Sequence, residues 1–167
     1  MGIEIERKFL VVGESWRRDI EKSVRMAQGY VNDIATVNSG KQKASVRVRI
    51  AGEQAFLNIK SRELGHTRQE FDYEIPVVDA EALIRLCVGG LIEKTRHYVQ
   101  HAGFVWEIDL FEGENLGLRV AEIELPAADT LFEKPEWAGR EVTDELRYYN
   151  LALADYPYCR WRDEEKI

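Results

Sequence analysis

Charged and apolar residues alternate in many segments of this chain, and this alternation constrains the fold more than any other feature. The opening segment places Glu4, Glu6 and Lys8 at every second position, with Ile5 between them and Phe9 after them. Side chains on a β-strand point alternately to the two faces of a sheet, so the pattern predicts a strand with one charged and one apolar face. An ordinary surface strand, with its charged face in water, would give the same pattern. The opening segment alone does not tell whether its charged face is exposed or has a functional role.

The alternation recurs along the chain, with matched charges on one face of each predicted strand. Arg47 and Arg49 share one face of residues 46–50, and Glu122 and Glu124 share one face of residues 120–125. The other charged positions in matching register are Lys60, Glu70, Asp72, Glu74, Lys94, Arg96, Glu107 and Asp109. An ordinary solvated face would contain a broader mixture of polar residues.

Short turn signals divide the chain into about eight strands and three or four helices, which is the α+β class. After the opening strand, further strands are predicted at residues 25–31, 44–50, 54–61, 66–75, 92–100, 104–111 and 118–125. Helices are predicted at residues 14–22, 79–88, 127–134 and 143–155, and a loop at 37–43. Most connections are short, so the sheet should be largely antiparallel.

Two architectures satisfy these charged faces. An open sheet could pack its apolar side on the helices and expose its charged side to water. The sheet could instead close into a barrel with a charged interior and helices on the outside, which would remove the unpaired edge strands. The concentration of charge slightly favours the barrel.

Composition restricts the class of protein. The 167 residues are 45% hydrophobic and 32% charged, which is typical of a globular chain long enough to bury a core. A net charge of −7 argues against a nucleic-acid partner, and only Cys87 and Cys159 are available for disulfide or thiolate chemistry. No apolar run is long enough to span a membrane, so we expect a cytoplasmic protein without a membrane partner. No linker divides the chain, which predicts one domain over residues 1–155 and a C-terminal tail at 156–167.

A charged interior would need a ligand, because buried charges without partners are costly. The basic positions suit a polyanion, since guanidinium groups match the geometry of phosphate oxygens. The acidic positions suit divalent cations such as Mg²⁺ or Mn²⁺, which take oxygen ligands and bridge to phosphates. Internal ion pairing without a ligand is the alternative, but an apolar core would be the more stable solution.

Six motifs in a fixed order resemble the CYTH superfamily, the triphosphate tunnel metalloenzymes. They are EIERK at 4–8, VRVR at 46–49, LNIK at 57–60, EKTR at 93–96, WEIDLF at 106–111 and EIE at 122–124. QGY at 28–30 and EVTDELRYYN at 141–150 resemble a short bacterial subgroup similar to inorganic triphosphatases. The resemblance implies an eight-stranded antiparallel β-barrel that forms a charged tunnel, with a few flanking helices and a C-terminal helix.

The resemblance also implies roles for individual residues. The implied metal ligands are Glu4, Glu6, Asp109, Glu122 and Glu124. The implied substrate-binding residues are Lys8, Arg47, Arg49, Lys60, Arg96 and, at the tunnel mouth, Arg147. Tyr30 and Lys94 are the catalytic candidates, although Tyr30 is equally well interpreted as a core residue because an ordinary tyrosine is a poor base near neutral pH. Relatives tend to carry lysine where this chain has Leu146 and Tyr149 in the predicted C-terminal helix. The resemblance therefore does not determine how polar this helix is where it plugs the tunnel.

The activity implied by the resemblance is metal-dependent hydrolysis of the terminal phosphate of a triphosphate, with inorganic tripolyphosphate as the first choice of substrate. Thiamine or nucleoside triphosphate hydrolysis, a class IV adenylyl cyclase and a non-catalytic polyphosphate-binding module are the alternatives. The implied partners are a small triphosphate substrate and Mg²⁺ or Mn²⁺. The oligomeric state is left undecided between a monomer and a homodimer. His66, His97 and His101 show no ligand spacing and are assigned no role.

Overall fold

Nine antiparallel strands form one sheet in the computed structural model, which describes residues 5–61 and 69–166. The strands are β1 (Ile5–Val11), β2 (Ile20–Tyr30), β3 (Ala44–Ala51), β4 (Gln54–Ser61), β5 (Glu70–Ile75), β6 (Val88–His101), β7 (Phe104–Phe111), β8 (Arg119–Leu125) and β9 (Ala138–Glu141). Their order across the sheet is β5-β4-β3-β2-β6-β7-β8-β1-β9. The prediction of an α+β fold around an antiparallel sheet is confirmed.

The helices are short and differ from the predicted ones. They are α1 (Ile34–Asn38), α2 (Val77–Ile84) and α3 (Asn150–Asp155), with 3-10 turns at Ser15–Asp19, Gly113–Asn115, Leu146–Tyr148, Tyr158–Arg160 and Asp163–Glu165. The predicted helix at 14–22 is a single 3-10 turn followed by β2, and the predicted helix at 127–134 is irregular. The predicted loop at 37–43 overlaps α1, which begins where Asp33 accepts a hydrogen bond from the Ala35 amide.

The apolar sides of the strands form the outer face of the sheet and are covered by these short elements. One cluster joins Phe9, Trp106 and Ile123 to Trp16 and Trp137, which lie in covering segments. A second cluster packs Ala80 of α2 against Val48 and other side chains of β3 and β4. Covering the outer face in this way leaves the charged side of the sheet on the inside.

Burial favours an interior charged side on the central strands, whereas Glu70, Asp72 and Glu74 on β5 and Glu124 on β8 are exposed. Lys8, Lys94 and Asp109 are each 3% exposed or less. Side chains of β1, β2, β6, β7 and β8 also meet in one apolar cluster, which includes Tyr30 and Phe111. Because strands that are not neighbours contribute to the same cluster, the sheet must curl around its charged side.

The predicted closed eight-stranded barrel is corrected to an open nine-stranded sheet. Within the described residues no strand pairing joins β5 to the other end of the sheet. The physical reason is β9, which pairs with β1 through Phe9↔Glu141 and Val11↔Ala138 and so occupies the edge at which the barrel would close. No helix in the described part of the chain is both long and apolar enough to cross a membrane.

Candidate active site on the charged face

The inward side of the sheet carries a continuous set of polar side chains, here called the charged face. Its members alternate with the outer apolar residues and are aligned by the strand register. They are Glu6, Lys8, Gln28, Arg47, Arg49, Asn58, Lys60, Glu70, Asp72, Glu74, Lys94, Arg96, Tyr98, Glu107, Asp109, Glu122 and Glu124. One row runs across four strands as Tyr98↔Glu107↔Glu122↔Lys8.

Asp109 lies at the centre of the charged face and binds two cations from β6. Its carboxylate accepts hydrogen bonds from Arg96 Nε at 2.7 Å and Arg96 Nη2 at 2.8 Å, and it also pairs with Lys94 Nζ. Burial raises the pKa of Asp109, but Lys94 and Arg96 outweigh burial and lower the pKa to about 2. For Lys94, burial and the charge of Arg96 outweigh the attraction of Asp109 and lower its pKa.

Arg96 connects this centre to the acidic side of the face. Its guanidinium pairs with Glu107 and lies 3.4 Å from an Oε2 of Glu122. Burial opposes the charged form of Arg96, yet Asp109, Glu122 and Glu107 together raise the pKa of the guanidinium. Lys8 also pairs with Glu122, and its Nζ lies 4.7 Å from the ring centroid of Tyr149. The cations are therefore held in place by carboxylates on neighbouring strands.

Arg47, Arg49 and Lys60 form a basic wall on β3 and β4. The Nε atoms of Arg47 and Arg49 are buried and have no hydrogen-bond acceptor within the described residues. Burial, together with the positive charges of Arg47 and Arg96, lowers the pKa of Arg49. Lys60 pairs with Glu70 at 3.2 Å. Because buried donors almost always have an acceptor, the two Nε atoms point to an anionic ligand.

Four carboxylates line a cavity of about 440 Å³ in another part of the charged face, away from the basic wall. This cavity is here called the acidic pocket. They are Glu6, Glu107, Glu122 and Glu124, and the lining also includes Phe104, Val105, Leu125 and Pro126. Glu6 lies directly opposite Glu124, and Glu107 lies opposite Glu122. Like charges in directly opposed positions repel, and burial together with nearby carboxylates raises the pKa of Glu107 against the effect of Arg96. Such a pocket favours a bound cation.

The residues present fit a hard divalent cation in their chemistry, since the pocket supplies only carboxylate oxygens as charged donors. Across residues 5–61 and 69–166, no three His, Cys, Asp or Glu side chains already converge as a metal site. The carboxylate of Glu122 is turned towards Lys8 and Arg96. The predicted ligand Glu4 lies outside the described residues.

Two predicted site residues have surroundings that do not support their roles. Tyr30 is 5% exposed, packs with Ile34 and Ile92, and has its pKa raised by burial, although Arg47 opposes the shift. A raised pKa leaves less of the phenolate, the form that accepts a proton, at neutral pH. Arg147 pairs with Glu145 and lies 4.9 Å from the Trp161 ring rather than on the charged face. Both roles remain predictions.

The metal-binding role of Asp109 also remains a prediction. Its carboxylate is occupied by Lys94 and Arg96, whereas Glu107 lines the acidic pocket. Sequence reasoning placed Glu107 on the same strand face as Asp109 but gave it no function. The alternation of β7 contained the necessary signal, because residues two apart on a strand share a face.

The CYTH domain model matches residues 2–156 of the chain. The chain belongs to the CYTH domain family. The resemblance seen in the motifs is therefore confirmed, and it extends to named relatives. The inorganic triphosphatase of Acetivibrio thermocellus is 43% identical over 164 residues, which cover 98% of this chain and 100% of the relative. The inorganic triphosphatase of Nitrosomonas europaea is 35% identical over 154 residues, which cover 90% of this chain and 96% of the relative.

Solved structures of other proteins agree with this CYTH assignment. The crystal structure of the inorganic triphosphatase NE1496 matches with a TM-score of 0.71 and 34% identity, covering 92% of this chain and 95% of that chain. A Hippeastrum protein described as an adenylyl cyclase with dominant triphosphatase activity matches with a TM-score of 0.53 and 18% identity, covering 74% of this chain and 80% of that chain. At that identity the second match supports the fold alone.

Proposed function

We propose that this CYTH protein is an inorganic triphosphatase, which hydrolyses the terminal phosphate of tripolyphosphate with the help of a divalent cation. One observation carries the proposal: the same charged face contains a pocket of four carboxylates and a basic wall, whose buried Nε donors have no acceptor in the described part of the chain. A polyanion with bound cations satisfies both halves of the face. The relatives named inorganic triphosphatase support the choice of substrate.

The basic residues would bind and orient the substrate. Arg47, Arg49 and Lys60 would contact phosphoryl oxygens along the basic wall, and Lys8 and Arg96 would contact those nearer the acidic pocket. Guanidinium groups suit this task because their paired N–H groups match two phosphate oxygens. Positioning and charge neutralisation supply most of the catalysis in phosphoryl transfer, so a wall of fixed cations is a direct source of rate.

The acidic pocket would hold Mg²⁺ or Mn²⁺ through Glu6, Glu122 and Glu124, with Glu4 and Asp109 as the remaining predicted ligands and Glu107 as a ligand suggested by the structure. A bound cation of this kind neutralises phosphate charge and makes a coordinated water a better nucleophile. The overall reaction adds one water across the terminal P–O–P bond and releases orthophosphate and diphosphate. Lys94 is a predicted catalytic residue, and its burial lowers its pKa.

A substrate panel tests this function. Purified protein with Mg²⁺ or Mn²⁺ would be given tripolyphosphate, ATP and thiamine triphosphate, with orthophosphate, diphosphate and cyclic AMP measured separately. We expect the highest kcat/KM with tripolyphosphate and no activity in EDTA. Cyclic AMP formation would instead identify a cyclase, and binding without release of phosphate from any substrate would identify a non-catalytic module.

The metal role of the acidic pocket is tested by Glu122→Gln. We expect kcat to fall at least about 100-fold at saturating Mn²⁺, because an oxygen ligand loses its charge. Glu53→Gln, at an exposed position in the β3–β4 turn, is the matched control and should retain activity. Normal turnover by a folded Glu122→Gln variant would exclude the assigned role.

A further inference from the structure

Gln28 is a neutral side chain buried among the charges of the charged face. It is 2% exposed, and its Nε2 has no hydrogen-bond acceptor within the described residues. The strand register places it directly opposite Arg49 on β3 and Ile92 on β6. It therefore lies at the border between the basic wall and the apolar cluster that contains Ile92.

Three buried donors that have no acceptor in residues 5–61 and 69–166 occur at this border: Gln28 Nε2, Arg47 Nε and Arg49 Nε. Each of these three nitrogens is a donor and needs an acceptor oxygen. A phosphoryl group presents several acceptor oxygens at once. We propose that Gln28 is a further substrate-binding residue, whose amide donates to a phosphoryl oxygen of the triphosphate beside Arg49. The proposal rests on the proposed function and adds a residue to its substrate site.

A neutral donor suits this position because the cations are already crowded. The positive charges of Arg47 and Arg96 disfavour the charged form of Arg49, and burial disfavours it further. Another lysine or arginine would increase that repulsion in the ligand-free protein. An amide supplies a hydrogen bond to the phosphate and adds no charge.

The test uses Gln28→Met, which keeps the length of the side chain and removes the donor. We expect KM for tripolyphosphate with Mn²⁺, and Kd for tripolyphosphate measured by calorimetry in EDTA, to rise about tenfold, as for the loss of one hydrogen bond to a charged acceptor. The thermal midpoint of the ligand-free protein should stay the same or rise, because a buried donor without an acceptor is removed. Gln54→Met makes the same change at an exposed position of β4 and should leave KM and Kd unchanged.

A merely structural glutamine would give the opposite result, with a lower thermal midpoint and unchanged KM and Kd, and this would overturn the proposal. If Gln28→Met fails to fold, Gln28→Glu is the deciding variant. It should weaken tripolyphosphate binding still more, because it brings negative charge to the phosphate. Binding equal to the wild type would refute the role of Gln28.

The proposed function and the Gln28 proposal can fail separately. Wild-type protein that binds tripolyphosphate without hydrolysing it would contradict the proposed function alone, and Kd would then decide the role of Gln28. A hydrolysing wild type with an equally tight Gln28→Met variant would contradict the Gln28 proposal alone.

Discussion

Asp109 is held between Lys94 and Arg96, and this arrangement explains how several charged side chains can be buried on one sheet. Each carboxylate oxygen accepts a hydrogen bond from a cation, so the negative charge is fully compensated. The two cations are in turn fixed in position before any substrate arrives. At the scale of single residues, Asp109 therefore acts as the anchor of the cationic part of the charged face.

Asp109→Asn should lower the free energy of unfolding by about 3–5 kcal/mol, because Lys94 and Arg96 would then be buried with too little negative charge. The pKa of Asp109 is about 2 in the folded protein, below its ordinary 3.8. Protonation is therefore easier in the unfolded state, and the contribution of Asp109 is complete above about pH 4 and is lost as the pH falls towards 2. Urea titrations across this range would measure the loss.

The matched control for this prediction is Asp129→Asn, which makes the same change at an exposed position. It should keep the stability of the wild type and the same acid dependence. An Asp109→Asn variant as stable as this control would contradict the anchoring role.

At the scale of elements, the β6–β7 hairpin contains a local conflict between sequence and backbone. Its two-residue turn is formed by Ala102 at φ 48° and Gly103 at φ 85°, and left-handed φ values at both central positions are those of a type I′ turn. Glycine adopts this conformation freely, but alanine is strained in it. The hairpin therefore forms in spite of Ala102.

Ala102→Asn should raise the free energy of unfolding by about 0.5–1 kcal/mol, because asparagine tolerates the left-handed region and Asn-Gly is the preferred type I′ pair. Gly103→Ala, the reverse kind of change in the same turn, should lower it. Equilibrium denaturation would measure both. A loss of stability with Ala102→Asn would show that the turn is not strained at this residue.

The strands that sequence reasoning found are those with strict alternation, because one face of each is apolar and the other charged. β7 matches its predicted bounds at residues 104–111 and shows this most clearly. β9 could not be predicted in this way, since its sequence is AGRE and its pairing with β1 is a long-range contact. Local sequence also failed to predict the structure of residues 143–155. A helix was predicted there, but only Asn150–Asp155 is α-helical.

Candidate site residues were predictable to the extent that strand alternation controls them. It placed Lys8, Arg96 and Glu122 correctly on one face. Alternation does not tell which carboxylate pairs with which cation, so it did not separate the anchored Asp109 from the pocket-lining Glu107. Gln28 was missed because it carries no charge, and its proposed role depends on burial without an acceptor among the described residues.

At the scale of the whole molecule, residues 156–166 pack against the domain. Trp161 is 4% exposed and contacts the rings of Tyr148 and Tyr158, each with centroids 5.1 Å apart. The Tyr158 amide donates a hydrogen bond to Asn115 Oδ1. The division into a domain at 1–155 and a tail at 156–167 remains a prediction, but these contacts tie the end of the chain to the apolar cluster beside the charged face.

Trp161→Ala should lower the free energy of unfolding by about 3–5 kcal/mol, as expected for deleting a large buried aromatic side chain. Leu131→Ala removes apolar atoms from a residue that is 94% exposed and should have little effect. Differential scanning calorimetry of both variants would measure the difference. An unchanged thermal midpoint for Trp161→Ala would mean that the Trp161 side chain contributes nothing to stability.

The internal pairing of Lys8, Lys94 and Arg96 has a consequence for the full reaction cycle. A cavity of unmatched cations would hold a multiply charged product as firmly as its precursor and so slow each round of the reaction. Here every one of these cations has a carboxylate of the same chain to return to, through Glu122 or Asp109. If Lys8 and Arg96 bind the substrate as proposed, these carboxylates would compete with it and so favour the departure of the cleaved phosphates.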